Sequence, residues 1–121
     1  MRIFTQDDSL IIEFHGAEVL WAFKKRIIVP FSSLASLELH ETWQWPVKGV
    51  PIRTGGTFVP KTLMAGRYRV EGQQYFAYVH LRKGSGFGAV EADSVAVITT
   101  HDYPYTQIFV SVENPDQLPK L

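Results

Sequence analysis

Short runs in which apolar and polar residues alternate are the feature that most constrains the fold of this chain. Tyr68 and Val70 alternate with charged neighbours over Arg67–Val70, which places apolar side chains on one face of an extended backbone. The following run, Tyr75–Leu81, is aromatic and β-branched, and the sequence Gly72-Gln73-Gln74 between the two runs favours a turn. The pattern predicts a hairpin of two antiparallel strands.

Glycine and proline mark the segment before this hairpin. Adjacent glycines at Gly55 and Gly56 indicate a backbone with positive φ or the close approach of another segment, and Gly66 predicts a second bend. Pro60 cannot donate a ladder hydrogen bond, so no central strand passes through it. We therefore expect Thr57–Val59 to form a short extended segment that ends at a sheet edge or a bend.

Turn signals recur at intervals of roughly 8 to 12 residues along the rest of the chain, a spacing typical of all-β domains. Helix-forming residues over 17–23 predict a short helix that must pack on a sheet to be stable. Asn114-Pro115-Asp116 predicts a helix start, and Pro119 limits that helix to a C-terminal stub. The pattern predicts about seven to nine antiparallel strands in a small β-barrel or sandwich. Further strands are predicted at Arg2–Gln6, Leu10–Phe14, Arg26–Val29, Leu34–His40, Ser94–Thr100 and Thr106–Val112.

Composition limits the class of protein. With 121 residues, 45% of them hydrophobic, the chain is long enough for one globular domain over 1–121 with a single core. Lys+Arg and Asp+Glu are both 12, and this balance argues against a surface devoted to nucleic acid. Asp7 and Asp8 interrupt the region where a secretory leader would be apolar, so we expect a cytoplasmic protein.

No residue pattern predicts catalysis, a metal site or a cofactor. The chain has no cysteine, which excludes disulfides, thiolate zinc ligands and a cysteine nucleophile. The 4 histidines are scattered without metal-ligand spacing. Ser85 lies between two glycines, but the flanking residues do not match a nucleophile elbow. The same glycine-rich segment does not match a phosphate-binding loop, because no helix is predicted after it. We therefore expect a protein that is not an enzyme.

Aromatic residues in predicted loops are the candidate protein-contact residues. Trp43 and Trp45 fall in a predicted loop over Glu41–Val50, and they lie on the same side if the backbone is extended. They either plug one end of the core or form a recognition surface, for which tryptophan is favoured. Phe87, in a glycine-rich hairpin tip, is a third candidate contact.

Basic residues form the candidate anion-binding site. Lys24, Lys25 and Arg26 are the densest basic run, and they form either a solvated turn or a contact with an anion or lipid headgroup. Arg67 and Arg69, on the polar face of the predicted hairpin, are the other candidates for such a contact.

A set of motifs spread over Ile11–Leu118 resembles small bacterial pleckstrin-homology-like (PH-like) proteins of uncharacterised function. This resemblance implies a split β-barrel of two nearly orthogonal sheets that is normally closed by a C-terminal helix. A stub in place of that helix would leave a barrel mouth for another element or a second subunit to cover. The family offers no catalytic residues to transfer. The residues that carry the resemblance are Ile28–Leu34, Arg53 with Gly56-Thr57 and Pro60, Ala65-Gly66, Tyr75-Phe76 and Val112–Pro115.

Three functional hypotheses follow. The first is a non-catalytic module that acts by protein contact or self-association, through the aromatic residues above or an exposed sheet edge. The second is binding to an anionic lipid or membrane surface through the basic residues. The third is binding of a small molecule inside the barrel.

Overall fold

Two β-sheets contain most of the chain in the computed structural model, which describes residues 1–22, 24–46, 52–59, 62–82 and 90–119. The strands are β1 (Arg2–Gln6), β2 (Ser9–Glu13), β3 (Arg26–Pro30), β4 (Leu34–Gln44), β5 (Ile52–Val59), β6 (Leu63–Val70), β7 (Gln73–His80), β8 (Glu91–Thr100) and β9 (Gln107–Ser111). A three-stranded sheet has the order β1-β2-β3, and a six-stranded sheet has the order β4-β8-β9-β7-β6-β5. The mainly β fold and the predicted number of strands are confirmed in the described residues.

Helical structure is confined to three short segments of the described chain. The predicted short helix is α1 (Ala17–Ala22), and a 3-10 turn at Phe31–Ser33 links the two sheets. The C-terminal stub is a single 3-10 turn over Pro115–Gln117. The Oδ1 of Asn114 accepts a hydrogen bond from the Asp116 amide at 3.0 Å, which satisfies one of the free donors at the start of the turn.

The predicted central hairpin is confirmed as β6 and β7, which pair antiparallel with Tyr68 opposite Tyr75. The chain reverses at Glu71-Gly72, slightly earlier than the predicted Gly72-Gln73-Gln74 turn. The predicted pattern of alternation is preserved. Tyr68 and Val70 are buried, and the intervening Arg69 is exposed.

Gly56 and Gly66 are partners within a strand pair, so the prediction that Gly66 marks a bend is wrong. Both have positive φ, 110° and 132°. A Cβ on Gly56 would lie 2.1 Å from the Ala65 carbonyl oxygen and 2.4 Å from the Gly66 Cα. The glycines therefore let the β5 and β6 backbones approach more closely than side chains allow, which extends β5 back to Ile52.

Two further predictions need correction. The predicted loop over Glu41–Val50 is wrong at its start, because β4 continues to Gln44 through pairing with β8. The strands are not all antiparallel, since β9 lies between β7 and β8 and pairs parallel with β7. No closed barrel is formed by the described strands.

Apolar side chains pack on both faces of the six-stranded sheet. One face packs against the three-stranded sheet and α1. The first core cluster lies between them and includes Phe14, Phe76 and Ile108. The opposite face forms a second cluster around Trp43 and Phe109. Because the strand period is two, neighbouring residues of β6 and β7 contribute alternately to the two clusters.

Candidate functional site

Strand β5 forms one edge of the six-stranded sheet and exposes apolar side chains. Within the described chain it pairs only with β6. Ile52, Phe58 and Val59 are 62%, 37% and 37% exposed. The described β5 sequence Ile-Arg-Thr-Gly-Gly-Thr-Phe-Val has one charge, Arg53, and Pro51 and Pro60 flank it in the sequence. This edge therefore offers unpaired backbone groups beside accessible apolar surface.

Helix α1 adds exposed apolar residues beside the same edge. It packs against β5 and β6, and it buries Ala22 against the first core cluster. Leu20 is 73% exposed and Trp21 is 43% exposed. We call these two residues and the three of β5 the edge surface. It contains five of the seven large apolar side chains that are exposed in the described residues.

Sequence patterns did not predict which residues form the edge surface. Packing of α1 on the sheet is provided by Val19 and Ala22, as the predicted short helix requires, while Leu20 and Trp21 are exposed. Ile52 precedes the glycines and was not assigned to a strand. The sequence feature that could have indicated an apolar edge strand is the segment Thr-Gly-Gly-Thr, which has apolar residues on both sides and a single charge beside it.

The basic run Lys24-Lys25-Arg26 does not form one cationic patch. The Arg26 guanidinium donates a hydrogen bond to the Glu13 carboxylate at 2.6 Å, and Arg2 lies 3.5 Å from the same carboxylate. The Lys24 ammonium lies 5.5 Å from the centre of the Tyr105 ring. Lys25 is exposed, so the run divides among a salt bridge, a ring contact and solvent.

Arg67 and Arg69 are exposed on the face of β6 against which α1 and the first core cluster pack. The Arg67 guanidinium lies over Gly55, since a Cβ there would be 2.9 Å from its Nη2. Arg67 pairs in register with Phe76, whose ring lies 5.6 Å from that of Tyr105. The structure thus places the Lys24 ammonium over Tyr105 and the Arg67 guanidinium over β5, while Arg26 belongs to the other sheet.

The two tryptophans pack into the second core cluster. Trp43 is 4% exposed, and Trp45 is half-buried with its ring 6.4 Å from that of Trp43. Trp45 also contacts Tyr68, Tyr75 and Phe109 at 6.0, 5.9 and 5.6 Å between ring centres. This packing matches the alternative in which they plug the core. Phe87, the third candidate, lies outside the described residues.

Three buried donors in this aromatic cluster lack a hydrogen-bond partner in the described structure: the indole N–H groups of Trp43 and Trp45 and the Tyr68 hydroxyl. Burial raises the pKa of Tyr68 to about 12, against a smaller opposing effect of the Arg53 charge. The phenol is therefore protonated throughout the physiological range. A buried donor without an acceptor lowers the free energy of unfolding, so these three groups reduce the stability of the fold.

A polar cleft of about 180 Å³ is lined by side chains including Glu18, Tyr78, His80 and Glu113. Burial acts to raise the pKa of Glu18, but hydrogen bonds from the Met1 ammonium and the His15 amide outweigh it and lower the pKa. Pockets for drug-sized ligands are larger, at roughly 300–1,000 Å³. This cleft is smaller than such pockets, whereas a second cleft of about 290 Å³, lined by residues including Thr42, Trp43 and Arg82, comes close to the lower end of their range.

Comparisons with protein-family models, with curated proteins and with solved structures find no match. In the described part of the chain, no helix combines the length and the apolar character needed to span a bilayer.

Proposed function

We propose that this protein is a non-catalytic module that acts by protein contact, either with a second copy or with another protein, through the edge surface. The carrying observation is that most of the exposed large apolar side chains of the described residues lie on two neighbouring elements, β5 and α1. Apolar residues scattered singly on a surface need no explanation, whereas residues concentrated at an unpaired edge support a contact role.

The PH-like split barrel is part of the same proposal. Two sheets that enclose a shared core, with a C-terminal stub beside it, support this architecture. The cytoplasmic location expected from the sequence remains a prediction. Because Trp43 is buried and Trp45 is half-buried, we place the proposed contact at the edge surface and not at the tryptophans.

Site-specific photocrosslinking in cells tests the contact role. A benzophenone amino acid at Ile52 samples the edge surface, and the same group at Glu41, an exposed position of β4, is the matched control. We expect a discrete adduct from Ile52 that is absent from Glu41 and is lost when Val59→Lys is added. Equal adduct patterns from the two positions would reject the edge surface as the contact site.

Binding to an anionic surface is the second candidate function. The observation that favours it is that Lys24 and Arg67 lie on the side of the six-stranded sheet against which α1 packs, and that α1 exposes Leu20 and Trp21. Cationic and apolar side chains together suit an anionic membrane interface.

Co-sedimentation with phosphatidylserine vesicles separates this candidate from protein contact. Binding that weakens with salt and falls at least severalfold in Arg67→Gln, but not in Arg26→Gln, would support it, because Arg26 is held by Glu13. Absence of vesicle binding at low salt would reject it.

A further inference from the structure

The described residues of β5 are nearly palindromic in chemical type about the midpoint between Gly55 and Gly56. In order they read apolar, cation, Thr, Gly, Gly, Thr, aromatic, apolar, from Ile52 to Val59. In an antiparallel pair of identical strands, a residue on the two-fold axis lies opposite its own copy, and every other residue lies opposite a different residue. A strand with this symmetry can therefore match its own edge.

A β-bulge in β5 places the residues that would lie opposite each other in such a pair on the same face of the sheet. In β5 the partner register shifts between Arg53 and Gly55, so Thr54 is an extra residue. Ile52 and Val59 pair with Arg69 and Leu63, which lie on the same face of β6. Without the bulge, Ile52 and Val59 are seven positions apart and would lie on opposite faces of the sheet. They could then not lie side by side in a two-fold strand pair.

We infer that β5 pairs antiparallel with β5 of a second copy, with Gly56 on the two-fold axis. Ile52 of one copy then lies opposite Val59 of the other, and Arg53 lies opposite Phe58. The first pair joins two exposed apolar side chains, and the second sets a guanidinium beside an aromatic ring. The inference rests on the proposed contact function and specifies both its partner and its register.

Alternative registers are poorer. Moving the axis to Gly55 or Thr57 keeps the faces matched but leaves Ile52 or Val59 opposite threonine or glycine and shortens the paired segment. With the axis at Gly56, every described residue of β5 except the bulged Thr54 has a partner. The two Arg53 side chains lie on opposite sides of the axis, roughly 15–20 Å apart at about 3.3 Å per residue, so their repulsion is weak.

Sedimentation velocity on the full chain tests self-association. We expect a dimer whose fraction rises with concentration, and at least a tenfold higher dissociation constant for Val59→Lys. The matched control is Ile28→Lys, a comparable exchange at a 47% exposed position of the other sheet. Circular dichroism checks that both variants are folded. Equal weakening by the two variants would overturn the inference.

Disulfide trapping tests the register, because the natural chain has no cysteine. Arg53→Cys is mixed with Phe58→Cys, and Ile52→Cys with Val59→Cys, in a glutathione redox buffer. Adjacent pairs alternate between hydrogen-bonded and non-hydrogen-bonded types, so at least one mixture should give a disulfide-linked heterodimer. Arg53→Cys mixed with Val59→Cys is the control, since these side chains lie on opposite faces.

The outcomes separate the inference from the contact function. A dimer trapped in either cognate mixture and not in the control supports both. A dimer that neither cognate mixture traps overturns β5 pairing but leaves protein contact through another surface. A strict monomer at high concentration overturns the inference, and an Ile52 photoadduct with a different protein would then still support the contact function.

Discussion

Gly56 lies at a position where the fold has no room for a side chain. Its φ of 110° lies outside the range that other residues adopt readily. A Cβ would also meet the Ala65 carbonyl oxygen. We expect Gly56→Ala to lower the free energy of unfolding by at least about 2 kcal/mol.

Urea denaturation measures this loss, with Gly16→Ala as the control. Gly16 has a positive φ of 57°, but a Cβ there would have no neighbour within 4 Å. Only the conformational cost of about 1–2 kcal/mol applies to the control. Equal losses in the two variants would show that the close approach of β5 and β6 contributes no stability.

Two neighbouring tyrosines should respond oppositely to loss of the hydroxyl group. The Tyr68 hydroxyl is buried without a partner among the described residues, whereas the Tyr75 hydroxyl donates to the Gln73 side chain at 3.3 Å. Tyr68→Phe should stabilise the fold by about 1 kcal/mol, and Tyr75→Phe should destabilise it by about 0.5–1.5 kcal/mol. Urea midpoints of both variants test this, and a destabilised Tyr68→Phe would reveal an acceptor for its hydroxyl.

At the scale of elements, a row of charges crosses the three-stranded sheet, with Glu13 on β2 between Arg2 and Arg26 in register. The Arg26 hydrogen bond is the main cause that lowers the pKa of Glu13 below its ordinary value of 4.5. A carboxylate with a lower pKa in the folded state stabilises the fold above its unfolded pKa. That stabilisation is lost as the pH falls from about 4.5 through the folded pKa.

An NMR titration of the Glu13 carboxyl carbon tests this assignment. We expect Arg26→Ala to raise the pKa of Glu13 toward its ordinary value, and Arg2→Ala to raise it less, because Arg2 acts only through its charge at 3.5 Å. Glu13→Gln should remove part of the acid dependence of stability. Identical titrations in the wild type and Arg26→Ala would contradict the assigned cause.

Elements whose determinants are local were predictable, and those determined by distant pairing were not. Alternation at Tyr68 and Val70 predicted the second half of β6, which begins at Leu63, and the aromatic and β-branched run Tyr75–Leu81 predicted most of β7. The extension of β4 to Trp43 depends on pairing with Ala92, far along the chain, and periodicity within one segment carries no information about such a partner. For the same reason, local patterns did not predict the parallel pairing of β7 with β9. They also did not predict the role of Gly66, where a side chain is excluded because Gly56 lies opposite on the neighbouring strand.

The candidate site was predictable only in kind. An exposed sheet edge was among the expected contacts, but the residues selected by type were Trp43 and Trp45, which the structure packs inward. Large aromatic side chains serve cores and interfaces equally well, so residue type alone could not separate the two roles. Exposure of Ile52 and Val59 follows from the position of β5 at the end of the strand order, which is a property of topology.

At the scale of the whole molecule, the six-stranded sheet should couple its two core clusters into one cooperative unit. Phe14 lies in the first cluster, 5.7 Å from Phe76 and 5.3 Å from Tyr78 between ring centres. Trp43 and Trp45 lie in or against the second cluster. Because β6, β7, β8 and β9 supply side chains to both faces, neither cluster can be lost while these strands stay ordered.

Phe14→Ala tests this coupling, since it removes a buried ring from the cluster without tryptophan. We expect a loss of about 3–5 kcal/mol in the free energy of unfolding. Tryptophan fluorescence and far-ultraviolet circular dichroism should shift to the same lower urea midpoint. Trp21→Phe in both backgrounds removes the signal of the exposed tryptophan, so that fluorescence reports the second cluster. A fluorescence midpoint that stays at its original value while the dichroism midpoint falls would mean that the two faces of the sheet unfold separately.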